Sequence, residues 1–137
     1  MDHFGRLLKQ ANNNMIRHFD QFAKQYDLTG NQMAIIDFIT NHGDKEIFQR
    51  DIEQEFEIQR STTTVLLQRM EKKGLIERQT SSTDARQKTV KLTEKAVNFA
   101  SACQDYLRKE EEEFSQQFSA KERRIFRTIL EHYKNLK

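Results

Sequence analysis

No proline occurs anywhere in the 137 residues. Proline removes a backbone N–H and clashes inside a helix, so its complete absence leaves the whole chain free to be helical. Four glycines and 32% charged residues point the same way, since glycine loses extra entropy in a helix. The apolar residues supply the period. Phe4, Leu8, Ala11, Met15, Phe19, Phe22 and Tyr26 follow at steps of 4, 3, 4, 4, 3 and 4, the spacing that keeps one helical face apolar. With 36% hydrophobic positions, the chain fits one domain with a buried core.

Further elements follow along the sequence. Thr29, Gly30, Asn31 and Gln32 form a T-x-x-Q capping-box pattern, and a heavily apolar helix (Met33, Ile35, Ile36, Phe38, Ile39) runs from there to near Gly43. A short helix is expected over 49–56, with Ile52 and Phe56 on its buried face and Asp51, Glu53, Glu55 and Glu57 outward. Another spans 60–73, with Thr63, Leu66, Leu67 and Met70 inward and Gly74 as its stop. Leu75 to Gln79 alternates like a strand, Thr80 to Gln87 is a polar loop, and Thr89 to Leu92 reads as the returning strand. Thr93 opens a helix over 94–113 that carries Ala96, Phe99 or Ala100, Cys103, Leu107 and Phe114 and ends in the run Glu110 to Glu113. A second capping box at Ser119–Glu122 starts the last helix. The expected fold is therefore mainly α, about six helices with a small β-hairpin.

Charge is unevenly placed. Residues 1–59 hold 6 basic and 10 acidic side chains, 60–91 hold 8 and 3, and 92–137 hold 9 and 8. The middle stretch alone is strongly positive, which points to an anionic partner. No apolar run approaches the roughly 20 residues of a membrane-spanning helix. The first nine residues contain no apolar block of signal-peptide length, so a cytoplasmic protein without a membrane partner is expected. The single cysteine, Cys103, cannot form an internal disulfide, and His3, His18, His42 and His132 lack i, i+4 partners; neither metal nor cofactor is expected. A buried cysteine with no adjacent base is an inert apolar residue more often than a redox sensor. A glycine-rich phosphate loop, HExxH and G-x-S-x-G are all missing, which argues against an enzyme.

The order short helix, three-residue turn (Glu57 to Gln59), second helix, hairpin is that of a winged helix-turn-helix, whose second helix enters a DNA major groove. Ser61, Thr62 and Thr64 would project from the first turn of that helix, where short hydroxyls and free backbone amides meet phosphates and base edges. The competing reading makes them plain helix caps. Arg86 and Lys88 would reach phosphate or a minor groove from the loop, unless the hairpin is merely solvated.

The stretch Arg60-Ser-Thr-Thr-Thr-Val-Leu-Leu-Gln-Arg-Met-Glu-Lys-Lys-Gly-Leu-Ile-Glu-Arg78, then Asp84-Ala-Arg86 and Val90-Lys-Leu-Thr-Glu-Lys95, resembles the MarR-type multiple antibiotic resistance regulators. In that family a Leu-Glu-Lys-x-Gly-Leu-Ile-x-Arg segment follows the recognition helix and the wing carries Asp-x-Arg. The diagnostic pattern covers 60–95; the flanks match in helix order. The resemblance implies a winged helix-turn-helix with long terminal dimerisation helices: 1–28 and 94–137 as the helical dimerisation region, 29–93 as the DNA-binding region. It implies DNA contacts from Arg60, Ser61, Thr62, Thr64, Val65, Arg69, Asp84, Arg86 and Lys88, with Asp84 orienting Arg86. Val65 departs from the family, many members of which place a polar or basic residue there; a thymine-methyl contact is one replacement. Ala85 lies where a second arginine is frequent, and Lys95-Ala96 replaces the usual glycine.

The partners so implied are double-stranded DNA, a second copy of the chain and a small-molecule effector. Dimer contacts would come from Phe4, Leu8, Ala11 and Met15 at one end and Phe126, Ile129, Leu130, Tyr133 and Leu136 at the other. The alternative is that both stripes pack within one monomer. Phe19, Phe22, Phe38 and Leu107 are candidates for an effector pocket. The function expected is a sequence-specific DNA-binding regulator, in its ligand-responsive repressor form. Its rival is a helical protein-interaction module with an incidental basic centre.

Overall fold

A computed structural model describes residues 3–137, so the first two residues of the segment read for a signal peptide lie outside it. The described residues form, in order, α1 (Phe4–Lys24), α2 (Gly30–Thr40), α3 (Gln49–Phe56), α4 (Arg60–Lys72), β1 (Ile76–Thr80), β2 (Lys88–Leu92), α5 (Glu94–Gln117) and α6 (Ala120–Lys134). This is the expected six-helix fold with one hairpin. The chain divides into two compact units, Met1–Cys103 and Gln104–Lys137.

In the first unit the Thr29 hydroxyl accepts the Gln32 N–H at 3.2 Å and the Gln32 amide oxygen accepts the Thr29 N–H at 3.0 Å, a complete capping box. The Asp20 carboxylate of α1 accepts the Gly30 N–H at 2.7 Å. A Cβ on residue 30 would lie 2.4 Å from that oxygen, so a larger residue there would displace the Asp20 carboxylate from the Gly30 N–H. α2 buries Met33, Ile35, Ile36 and Ile39, which point to several sides, as suits a central helix. Ile52 of α3, Leu67 and Met70 of α4, Leu75, Ile76, Val90, and Ala96, Ala100 and Cys103 of α5 complete the core. α1 joins through Ala23 and an aromatic series: Phe19–Phe22 at 6.0 Å, Phe22–Tyr26 at 5.5 Å and Tyr26–Phe99 at 5.7 Å between ring centres.

α4 ends as its glycine demands. Gly74 adopts φ +74°, its N–H bonds to the Glu71 carbonyl, and the Leu75 N–H bonds to the Met70 carbonyl at 2.9 Å, the pattern of a Schellman cap. This places the first strand one residue later than the alternation suggested, because the Leu75 N–H is committed to the helix. β1 and β2 pair antiparallel, from Ile76 with Leu92 to Thr80 with Lys88. On its other side β2 is pinned by the Val90 N–H to the Ile47 carbonyl at 2.7 Å and by an isolated bridge between Phe48 and Thr89. The base of the hairpin is thus fastened to the residues that lead into α3.

In the second unit a capping box at Ser119 and Glu122 starts α6, with bonds of 2.9 and 3.1 Å. Phe114 packs against Phe118 at 5.5 Å and Phe126 at 5.8 Å, and the Arg123 guanidinium donates to the carbonyls of Ser115 and Phe118. α5 runs to Gln117, four residues past the expected end at 113. The acidic run does not stop it, since within it only Glu110 and Glu113 share a face and Arg108 bridges Asp105 and Glu112.

Candidate nucleic-acid interface

α3 is closed by Glu57, which takes a left-handed conformation (φ 52°, ψ 46°); the next residue's N–H, that of Ile58, returns to the Glu53 carbonyl at 3.1 Å. Two residues later α4 begins at Arg60, after Gln59, whose side chain makes no capping bond. The first N–H groups of α4 therefore lack a side-chain acceptor, and they form the positive end of the helix dipole. Of the two readings of the hydroxyl cluster, capping is not what Ser61 and Thr62 do: both lie within the first turn and are exposed.

The hydroxyl-bearing residues then part company. Thr63 is fully buried and donates to the Gln59 carbonyl at 2.9 Å. Thr64 is half-buried; it donates to the Arg60 carbonyl at 2.9 Å and accepts from the Gln49 side-chain amide at 2.9 Å. Its one hydroxyl hydrogen is spoken for. Ser61, Thr62, Val65 and Arg69 share the exposed side of α4, with Val65 46% exposed.

The loop between the strands is organised rather than loosely solvated. The buried Ser81 hydroxyl accepts the N–H groups of Thr83 at 3.1 Å and Asp84 at 3.3 Å. One Asp84 carboxylate oxygen accepts both the Arg86 N–H at 3.0 Å and the Arg86 Nε at 3.3 Å. The Arg86 side chain is nevertheless 92% exposed. An arginine tethered at its Nε but open at its tip loses less freedom on meeting an anion. Lys88 is exposed at the start of β2.

Between α3, α4 and the hairpin lies an open groove of about 750 Å³. Of the nine residues expected to contact DNA, Arg60, Thr64, Asp84, Arg86 and Lys88 line it and Ser61, Thr62, Val65 and Arg69 do not; Gln49, Arg50, Glu53, Arg78 and Gln87, absent from the sequence expectation, complete the lining. Arg50 was detectable in principle as the lone cation of α3; its guanidinium lies 5.1 Å from the Phe48 ring centre, a cation–π distance. Arg78 donates to Glu71 at 2.8 Å, so the Glu71 and Arg78 ends of the motif are ion-paired and tie β1 to α4. Glu53 accepts from the Gln49 amide at 3.2 Å, and with Arg50, Arg60, Arg78, Arg86 and Lys88 against only Glu53 and Asp84 the groove carries an excess of cations.

Other sequence candidates lie elsewhere. Phe4, Leu8, Ala11 and Met15 of α1 are exposed, as are Phe126, Ile129, Leu130, Tyr133 and Leu136. Among the effector candidates, Phe19 and Phe22 belong to the aromatic series with Tyr26, Phe38 packs edge-on against Phe56 at 5.7 Å, and Leu107 belongs to the second unit. Cys103 is fully buried, and burial, reinforced by the Asp37 carboxylate, pushes its thiol up to about 12. Burial also raises Asp37, whose Oδ1 is buried without a hydrogen-bond partner. Among the described residues no group of three His, Cys, Asp or Glu side chains is placed to hold a metal ion, and no helix is long and apolar enough to cross a membrane.

Comparison with known proteins bears on this geometry. A family model described as the MarR family matches residues 26–87. The crystal structure of the transcription regulator MarR from Oenococcus oeni PSU-1 is 44% identical, with 98% of this chain and 100% of that chain covered and a TM-score of 0.85. This chain belongs to the MarR family of transcription regulators. Its MarR fold is also that of the S. aureus MepR–DNA complex, at 23% identity, 97% and 96% coverage and a TM-score of 0.88, and of S. aureus MepR in its DNA-binding conformation, at 23% identity, 96% coverage of each chain and a TM-score of 0.84. Comparison with curated proteins gave no match.

Proposed function

We propose that this MarR-family chain is a sequence-specific double-stranded DNA-binding regulator that acts as a homodimer on a palindromic operator. The observation that carries the reading is the uncapped start of α4, which bears exposed Ser61 and Thr62 beside a cationic groove flanked by the tethered Arg86. Helix amides and short hydroxyls suit phosphate oxygens and base edges, and an arginine at a wing tip suits phosphate or a minor groove. Arg60, Arg69 and Lys88 add sequence-independent attraction. The MepR structure of like fold is of a complex with DNA, which supports the same partner here.

The homodimer reading rests on the apolar residues left exposed on α1 and α6, with residues 1–28 and 94–137 forming the dimerisation region and 29–93 the DNA-binding region. Two-fold symmetry would set the recognition helices one DNA turn apart, with half-sites centred about 10 bp apart. Repression, and its relief by a small molecule bound near Phe19, Phe22, Phe38 or Leu107, is the form of regulation that the family resemblance implies. A cytoplasmic location is consistent with a DNA partner.

Selection of bound duplexes from a random pool at about 150 mM salt, where weak phosphate contacts are suppressed, tests the reading. A palindrome with half-sites about one turn apart is expected. A folded dimer that enriches no duplex at all, with or without candidate effectors, counts against it and leaves the protein-interaction module.

A further inference from the structure

Val65 is the one apolar side chain on the exposed side of α4, 46% exposed and set between Ser61 one turn before it and Arg69 one turn after. Leu67 and Met70 on the opposite side are fully buried, so this valine is not an overflow of the core stripe. It also stands beside Thr64, whose hydroxyl hydrogen is held by the Arg60 carbonyl and whose oxygen is held by Gln49. The centre of the helix face thus offers no free hydroxyl donor; hydroxyl donors are left to Ser61 and Thr62 in the first turn, and cations to Arg60 and Arg69 at the ends.

We infer that Val65 reads thymine, its methyl groups packing on the C5-methyl of one thymine in each half-site. This deepens the regulator reading and rests on it. Among the four bases only thymine presents an apolar group in the major groove. A β-branched side chain on a helix holds essentially one χ1 rotamer, so the methyl groups are fixed before DNA arrives and lose little freedom on binding. The cations around the valine favour duplex DNA over an apolar protein surface as the occupant. Gln49 is a positioning residue in this arrangement: by holding the Thr64 hydroxyl it removes a polar competitor next to the valine.

The test takes the operator recovered by selection and replaces each thymine singly with uracil, which deletes only the methyl group. At one thymine position per half-site, uracil is expected to weaken the wild-type protein about fourfold, the worth of one buried methylene. Val65→Ala is expected to bind the thymine and uracil duplexes equally. Val65→Thr, which keeps the shape but replaces one methyl group by a hydroxyl, should show a penalty between the two. Tolerance of uracil everywhere by the wild type, a uracil penalty undiminished in Val65→Ala, or an operator without a constant thymine in each half-site would each overturn the inference while DNA binding stands. Absence of salt-dependent binding to any duplex would overturn the regulator reading and the inference together.

Discussion

Among the described residues, every buried one lies between Ala23 and Cys103. From residue 3 to 22, and from 104 to 137, helices of equal regularity bury no residue fully and only a few, such as Phe19 and Phe22, in part, although α6 carries Ile125, Phe126, Ile129, Leu130 and Tyr133 and α1 carries Phe4, Leu7, Met15 and Ile16. Apart from the heavily apolar α2, composition does not distinguish these regions, since both have apolar stripes at helical spacing. The difference is that the middle segment folds back on itself through a central helix, a hairpin and a short connection, so its stripes face one another. The lesson is that an amphipathic stripe states a demand for cover but not who supplies it. The proposed second copy is one answer for the ends.

The largest effect that sharpens this contrast is chemical. Cys103, the last buried residue, should react with a thiol reagent at pH 8 on the order of a thousandfold more slowly in the folded chain than in urea, because little thiolate forms when the thiol sits at about 12 instead of about 8.5. Equal rates would show that the interior opens at this end. The linkage has a definite sign. The folded value is raised, so between about pH 8.5 and 12 the unfolded chain releases the proton first, and stability falls as pH rises through that window. Alkaline melts should show a decline that is smaller in Cys103→Ala, the remainder including Tyr106, which burial and the nearby Glu110 also raise.

Next in size is Leu67→Ala, which empties a fully buried position and should lower unfolding stability by about 3 kcal/mol in denaturant titrations. A loss below 1 kcal/mol would mean that the middle segment is not packed as described. Ile129→Lys, at a position 47% exposed in the single chain, is expected to weaken self-association at least tenfold in sedimentation, since a two-fold interface feels each change twice. Unaltered association would remove α6 from the interface. Smaller again is Arg86→Ala: DNA affinity should drop severalfold at about 150 mM salt, with the salt slope reduced by about 1. Asp84→Asn should act through the same arginine and cost about twofold. An unchanged slope in Arg86→Ala would take the wing off the DNA.

Much of this was legible in the chain because the signals were local. The capping boxes at Thr29 and Ser119, the glycine stop at Gly74 and the limits of α3 depend on residues within one helical turn of each other, so a linear reading finds them. The Asp84 and Arg86 pair is legible for the same reason. The end of α5 is not legible in this way, because a run of glutamates resembles a boundary in composition, whereas a helix stops only where backbone or capping chemistry stops it.

The groove shows the limit of such reading. Gln49 and Arg50 reach it because the Phe48–Thr89 bridge fastens the start of α3 to a strand about forty residues later in sequence, and no local pattern encodes that pairing. The sequence alone determined the family, the element order, the cationic middle and the hydroxyl-rich start of the recognition helix, since each rests on spacing or on a contiguous motif. Only the tertiary structure decided which of those hydroxyls remain open. Thr63 and Thr64 are the same residue type as Thr62, one and two positions further along the helix, and the rotation of α4 against α3 and the core turns the first into the interior and the second toward Gln49.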